Sequence, residues 1–176
     1  MGQENQRRVR RSPRLTGYDY AQAGVYFVTV CTWQWEPLLG SVVAARVSPT
    51  AAGCAAEQAW DDLPLRFPAV VLDAFVLMPD HVHGIIGLGG TADLPAGTRL
   101  PNLADVMRAF KSVSGIAGNR ASERIGQPFW QRSYHDRIVR NDRELAMIRR
   151  YIEENPARRE MESSLPLPAD LGPARR

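Results

Sequence analysis

Apolar positions along the chain fall into blocks whose period switches between two residues and about 3.6. The block 25–32, VYFVTVCT, is β-branched and aromatic and predicts a first strand. Residues 33–40 read as a loop. Ser48 and Pro49 then introduce a helical pattern over 50–61, with Ala52, Ala55, Ala56 and Ala59 at helical spacing and Trp60 near its end. A turn at 63–68 leads to a second strand at 69–78, apolar on both faces and therefore expected to be central. A tight turn at Met78, Pro79 and Asp80 joins it to a third strand at 82–88. After a loop at 89–101 rich in Gly and Pro, and expected to be mobile, Asn102 caps a helix. That helix carries Leu103, Val106, Met107 and Phe110 on one face and is expected to end near Gly115. Residues 118–128 read as another loop, and 134–139 as a fourth strand. Asn141 or Asp142 caps a last helix over 143–155. Pro156 is expected to bound it, because a residue preceding proline disfavours helical geometry.

This order predicts an α+β fold, a ferredoxin-like β-α-β-β-α-β sandwich with an antiparallel sheet and an extra C-terminal helix. The first and third strands are central in that topology. The third strand opens with His81-Val82-His83, and alternation puts both imidazoles on one face. Their Cα atoms are then about 7 Å apart, within reach of one ion or one phosphate. Taken alone, such a pair is more often a surface or core feature.

Hydrophobic residues make up 44% and charged residues 23% of the 176, the composition of an ordinary globular domain with enough chain for a real core. Two cysteines, Cys31 and Cys54, form neither a disulfide framework nor a zinc ribbon and fit a reducing cytoplasm. No secretory signal or membrane-length apolar run is evident. The net charge is +3, and of 22 basic residues only Lys111 is lysine. Arginine's planar fork suits phosphate recognition, although a GC-rich genome would produce the same bias. Arg7, Arg8, Arg10, Arg11 and Arg14 crowd one short arm, which is either a solvated tail or a grip on phosphates. Lys111 and Arg132 are further candidate DNA contacts. Trp33, Trp35 and Trp130 could stack on unpaired bases, with a core role equally open for Trp130.

The last helix has Leu145, Ile148 and Ile152 as its apolar stripe. Met147, Tyr151 and Asn155 form a neighbouring stripe at i, i+4, i+8. Alone, Tyr151 reads as an amphipathic core tyrosine and Asn155 as a residue at a helix end. Together the pieces YDYAQAGVYFVTVCT, FVLMPDHVHGII, FWQRSYHDRIVR and YIEENP resemble the single-tyrosine HUH transposases, of the IS200-like type, and among them the REP-associated tyrosine transposases. HUH denotes His-hydrophobic-His. The resemblance implies that His81, His83 and Asn155 hold Mg²⁺ or Mn²⁺ and that Tyr151 attacks DNA. It implies cleavage of single-stranded DNA near REP-like hairpins through a 5′-phosphotyrosine, by a monomer or homodimer in the cytoplasm at the nucleoid. The expected organisation is a flexible basic arm at 1–17, the catalytic domain at 18–160 and a disordered tail at 161–176. Asp80 stands where relatives often have Asn. A regulator that binds nucleic acid without cutting it, and a rolling-circle initiator, are the alternative readings. Tyr134 competes with Tyr151 as nucleophile, and His135 or a water as general base.

If the arm grips phosphates, deleting residues 1–14 weakens DNA binding and flattens its salt dependence. Each lost phosphate contact removes about 0.7–0.9 from the log–log slope. Fluorescence polarisation over a salt series measures this, and an unchanged slope would leave the arm a solvated tail.

Overall fold

The structure is a computed structural model that describes residues 24–89 and 101–164. The arm at 1–17 and the tail from 165 onward lie outside the described residues, as does nearly all of the 89–101 loop.

Strand β1, Gly24–Cys31, is followed by a single 3-10 turn, Trp33–Trp35, and then by a hairpin of β2, Gly40–Val43, and β3, Arg46–Pro49. Helix α1, Ala51–Asp61, and a one-turn helix α2, Leu63–Arg66, precede β4, Val70–Leu77, and β5, His81–Leu88. Helix α3, Leu103–Ala121, then β6, His135–Val139, and α4, Asp142–Ser164, complete the chain. The main sheet is antiparallel in the order β4-β5-β1-β6, so the first strand and the histidine strand are central, as the topology requires.

Alternation along the strands divides the core in two. Tyr26, Val28, Val30, Val82, Ile86 and Leu88 face α1 and α3, where Trp60, Met107 and Phe110 complete the larger cluster. Val25, Phe27, Val76 and Ile85 face the other way, against Leu145, Ile148 and Ile152 of α4. His81 and His83 share the parity of Ile85 and so lie on the α4 face. Cys31 is buried and Cys54, on α1, is exposed.

Three local expectations are corrected, and one hairpin was not anticipated. The second strand, β4, is an edge strand and not a central one. It is apolar on both sides because helices cover both faces of the sheet, which is a different cause of burial from a central position. The hairpin over 40–49 was not legible, because its two-residue turn is Ala44-Ala45 at φ 51° and 56°, without the Asn-Gly chemistry that marks such turns. Helix α3 does not stop near Gly115. Gly115 and Gly118 are packing positions, where a Cβ on Gly118 would lie 2.5 Å from Phe129 Cζ. Helix α4 does not stop at Pro156 but runs through it to Ser164, past the expected boundary at 160. Pro156 is buried, and the turns beyond it are tied to other elements: the Ala45 amide donates to Glu160 Oε2 at 2.7 Å. Such anchoring offsets the hydrogen bond that proline removes.

Gly84 lies on β5 directly against Trp60, where an added Cβ would overlap the ring atoms Cζ2 and Cη2. Neither the ring nor the strand can yield freely. Gly84→Ala should therefore destabilise the fold by about 1–3 kcal/mol, read as a lower urea midpoint at unchanged m-value.

Candidate functional site

The sheet register assembles one row of side chains on the α4 face. Thr29 pairs with His83 on one side and with His135 on the other. His83 Nδ1 lies 2.8 Å from Thr29 Oγ1, and His81 Nδ1 lies 2.7 Å from Asp80 Oδ1. Both Nδ1 atoms are thus engaged, which leaves Nε2 as the atom each ring can present. The two imidazole centroids are 4.6 Å apart. Burial, then the charge of His81, lowers the pKa of His83 to about 3, so this ring is neutral at ordinary pH, the form that binds cations.

Helix α4 brings Tyr151 to the same place. Its hydroxyl is 3.4 Å from His83 Nε2, and its ring stands edge-on to Phe27 at 6.2 Å. Asn155, one turn on and 8% exposed, lines a cavity of about 250 Å³ with His81, Tyr151, Arg158 and Arg159. The four residues singled out from the sequence are therefore brought together. Tyr134 is not among them: it packs against the α1/α3 cluster and lines a groove beside α3. His135 is exposed and shares the row of Thr29, two strands from His83.

Two contributors, Thr29 and Arg159, were not visible beforehand, while Trp35 was already a stacking candidate. Thr29 acts through a register between strands 54 residues apart. Arg159, beyond the expected end of the helix, donates to Asp80 Oδ2 at 2.9 Å and completes a chain Arg159–Asp80–His81. Burial pushes the Asp80 carboxyl up, but His81 and Arg159 together outweigh it and hold the pKa below the usual range. Trp35, 53% exposed, sits edge-on to His81 at 6.3 Å, and both Gln34 and Trp35 have left-handed φ, 54° and 61°. Non-glycine residues in that region are strained, and such strain collects at functional sites.

The remaining candidates fall elsewhere. Lys111 Nζ donates to the carbonyls of Gln131 and Arg132 at 2.6 and 2.7 Å, pinning α3 to the segment before β6, and burial lowers its pKa. Arg132 is exposed on that same side, away from the histidines. Trp130 is core: it is 7% exposed, with Nε1 donating to Ser114 Oγ at 2.9 Å. Trp33 is half-buried. Arg7, Arg8, Arg10, Arg11 and Arg14 lie outside the described residues.

The family described as "Transposase IS200 like" matches residues 68–155, a span that contains both histidines, Tyr151 and Asn155. The chain belongs to the IS200-like transposase family. An uncharacterised protein of Haemophilus influenzae is 34% identical to this transposase over 160 residues, 84% of this chain and 88% of that protein. A REP-associated tyrosine transposase bound to a REP hairpin shares the fold at a TM-score of 0.57 and 21% identity, over 81% of this chain and 72% of that one. Among the described residues no helix is long and apolar enough to cross a membrane.

The donor set of this transposase fits a divalent metal. Among the described residues no group of three His, Cys, Asp or Glu could hold one; the two imidazoles present Nε2, and Asn155, lining the same cavity as His81, carries an amide oxygen that could join them. Two nitrogens and an amide oxygen leave positions open for phosphate. Thr29→Val keeps the side-chain shape but removes the partner of His83 Nδ1. Losing such a partner should lower Mn²⁺ affinity about 10–100-fold, measured by titration calorimetry on the folded protein. Unaltered affinity would separate Thr29 from the site.

Proposed function

We propose that this transposase is a metal-dependent single-stranded DNA endonuclease and strand transferase that cuts near REP-like hairpins through a 5′-phosphotyrosine. The observation that carries the reading is the approach of the Tyr151 hydroxyl to His83 Nε2, beside His81, on a central strand. A phenol near an imidazole pair and a buried amide has the parts that phosphodiester exchange requires: a nucleophile, ligands for charge neutralisation and a fixed geometry.

In the step, Tyr151 Oη attacks phosphorus and forms the P–O(Tyr) bond as the P–O3′ bond breaks. The phenol proton leaves to a base, and the departing 3′ oxygen takes up a proton. A divalent metal held by His81, His83 and Asn155 would neutralise the non-bridging phosphate oxygens. Attack by a 3′-hydroxyl on the phosphotyrosine reverses the exchange on a new strand, with no external energy source. His81 and His83 are held from behind by Asp80 and Thr29, so their rings do not reorient as the phosphate enters. Exposed Trp35 offers a face for an unpaired base beside His81. The hairpin in the REP-associated relative's structure supports a hairpin partner here.

Tyr151→Phe removes one hydroxyl, so folding and DNA binding should persist while the covalent adduct with a labelled single-stranded hairpin and Mn²⁺ vanishes from a denaturing gel. His81→Ala/His83→Ala should abolish divalent-dependent cleavage in the same assay. An adduct that survives Tyr151→Phe but is lost in Tyr134→Phe would move the nucleophile to the fourth strand. Full cleavage by the double histidine variant would remove the metal site from the reading.

A further inference from the structure

Tyr151 lies on a boundary of α4. On one side of it the helix faces the sheet through Leu145, Ile148 and Ile152. On the other, Arg143, Met147, Arg150 and Arg158 follow one another at helical spacing along the exposed face. With Ala146 and Tyr151 they line a second cavity of about 310 Å³. Tyr151 and Arg158 belong to both this cavity and the one that holds His81 and Asn155. The two concavities therefore adjoin, with the tyrosine between them.

Most arginines near the site are already engaged. Arg149 is bonded to both carboxylate oxygens of Asp73, Arg159 to Asp80, and Arg158 to Glu154 at 2.7 Å while standing over the Tyr151 ring at 5.9 Å. Arg143 and Arg150 are different. Both are exposed, and neither has an ion pair or hydrogen bond among the described residues. Two such guanidinium groups, Arg150 immediately before Tyr151 and Arg143 about two turns before it, line one positive concavity. Met147, 57% exposed between them, adds an apolar floor suited to a sugar or base edge. The ligand chemistry this fits is a run of phosphodiesters in a flexible single strand, whose spacing adapts to the helix.

We propose that the Arg143–Arg150 face of α4 is a track for the phosphates of the DNA strand that becomes linked to Tyr151. This deepens the function proposed above and rests on it. An in-line attack places the leaving 3′ oxygen on the side of phosphorus opposite the tyrosine. The departing segment then lies over the histidine cavity, and the segment that stays attached extends back past Tyr151 along α4. Arg158 stands where the two paths meet. After cleavage, Arg143 and Arg150 retain the attached segment until a 3′-hydroxyl arrives.

The test uses the full-length protein and a short 5′-phosphorylated oligothymidylate with a 3′ fluorophore, a mimic of the attached strand. Binding is followed by polarisation over a salt series. Arg143→Gln/Arg150→Gln should reduce the magnitude of the log–log salt slope by about 1.4, two phosphate contacts at about 0.7 each on a single strand. Arg66→Gln/Arg120→Gln, which removes the same charge from the α2 and α3 side, should leave the slope unchanged. An unchanged slope in the α4 pair, an equal drop in both pairs, or no binding of the probe by the unsubstituted protein would overturn the proposal. Adduct formation at saturating DNA is read in parallel on the α4 pair. A lost slope with a retained adduct supports the track. Absence of an adduct from the unsubstituted protein, with the slope result intact, would count against the catalytic reading and not against phosphate binding by α4.

Discussion

The contact of Ile85 with Ile148 and Ile152 is what makes a site of these residues. It holds α4 on the face of the sheet that carries both histidines. The layer on the opposite face is far larger, with Tyr26, Trp60, Met107 and Phe110 fully buried. The larger core thus lies on one side of the sheet and the candidate site on the other. Apolar area of that small size fixes a distance but not a rotation. The rotation of α4 is set by polar ties at its flanks: Arg149 to Asp73 on β4, Arg159 to Asp80 in the turn before β5, and Glu160 to the amide of Ala45. Spread along the helix from Arg149 to Glu160, these ties fix which residue points at His83.

The turns after Pro156 show how this works. Without them α4 would end at Asn155 and the Asp80–Arg159 pair could not form. His81 would then keep its partner, but that partner would lack its own. The β2–β3 hairpin matters for the same reason, since it presents the amide that Glu160 accepts from. A segment remote from the chemistry thus reaches His81 through two side chains and one turn.

Local periods of two on a strand and four on a helix put the histidines on one face and Tyr151 with Asn155 on another, but only the family resemblance singled the four out together. The topology followed from element order, and with it the central place of β5. What could not be read were relations that depend on pairing between distant segments. Thr29 needs the register of β1 against β5, and Arg159 needs a helix that passes a proline. Glycine misled in α3 because contact with Phe129, not helix termination, explains Gly118. The apolar breadth of β4 misled because apolar residues on both faces of an edge strand pack against helices, although Val71 stays exposed there. The arginine face of α4 carries a plain helical spacing, but in a chain whose cations are nearly all arginine that spacing does not stand out.

The distribution of reactive side chains gives this protein an unusual chemical addressability. One thiol, Cys31, is shut inside the core beside the site, and the other, Cys54, is open on a helix of the opposite layer. The single lysine amine is held against two carbonyls. A maleimide reporter can therefore be directed to one atom, Cys54 Sγ, with the sheet between it and Tyr151. From there it can report strand arrival by a change in distance or tumbling without entering the path of the DNA.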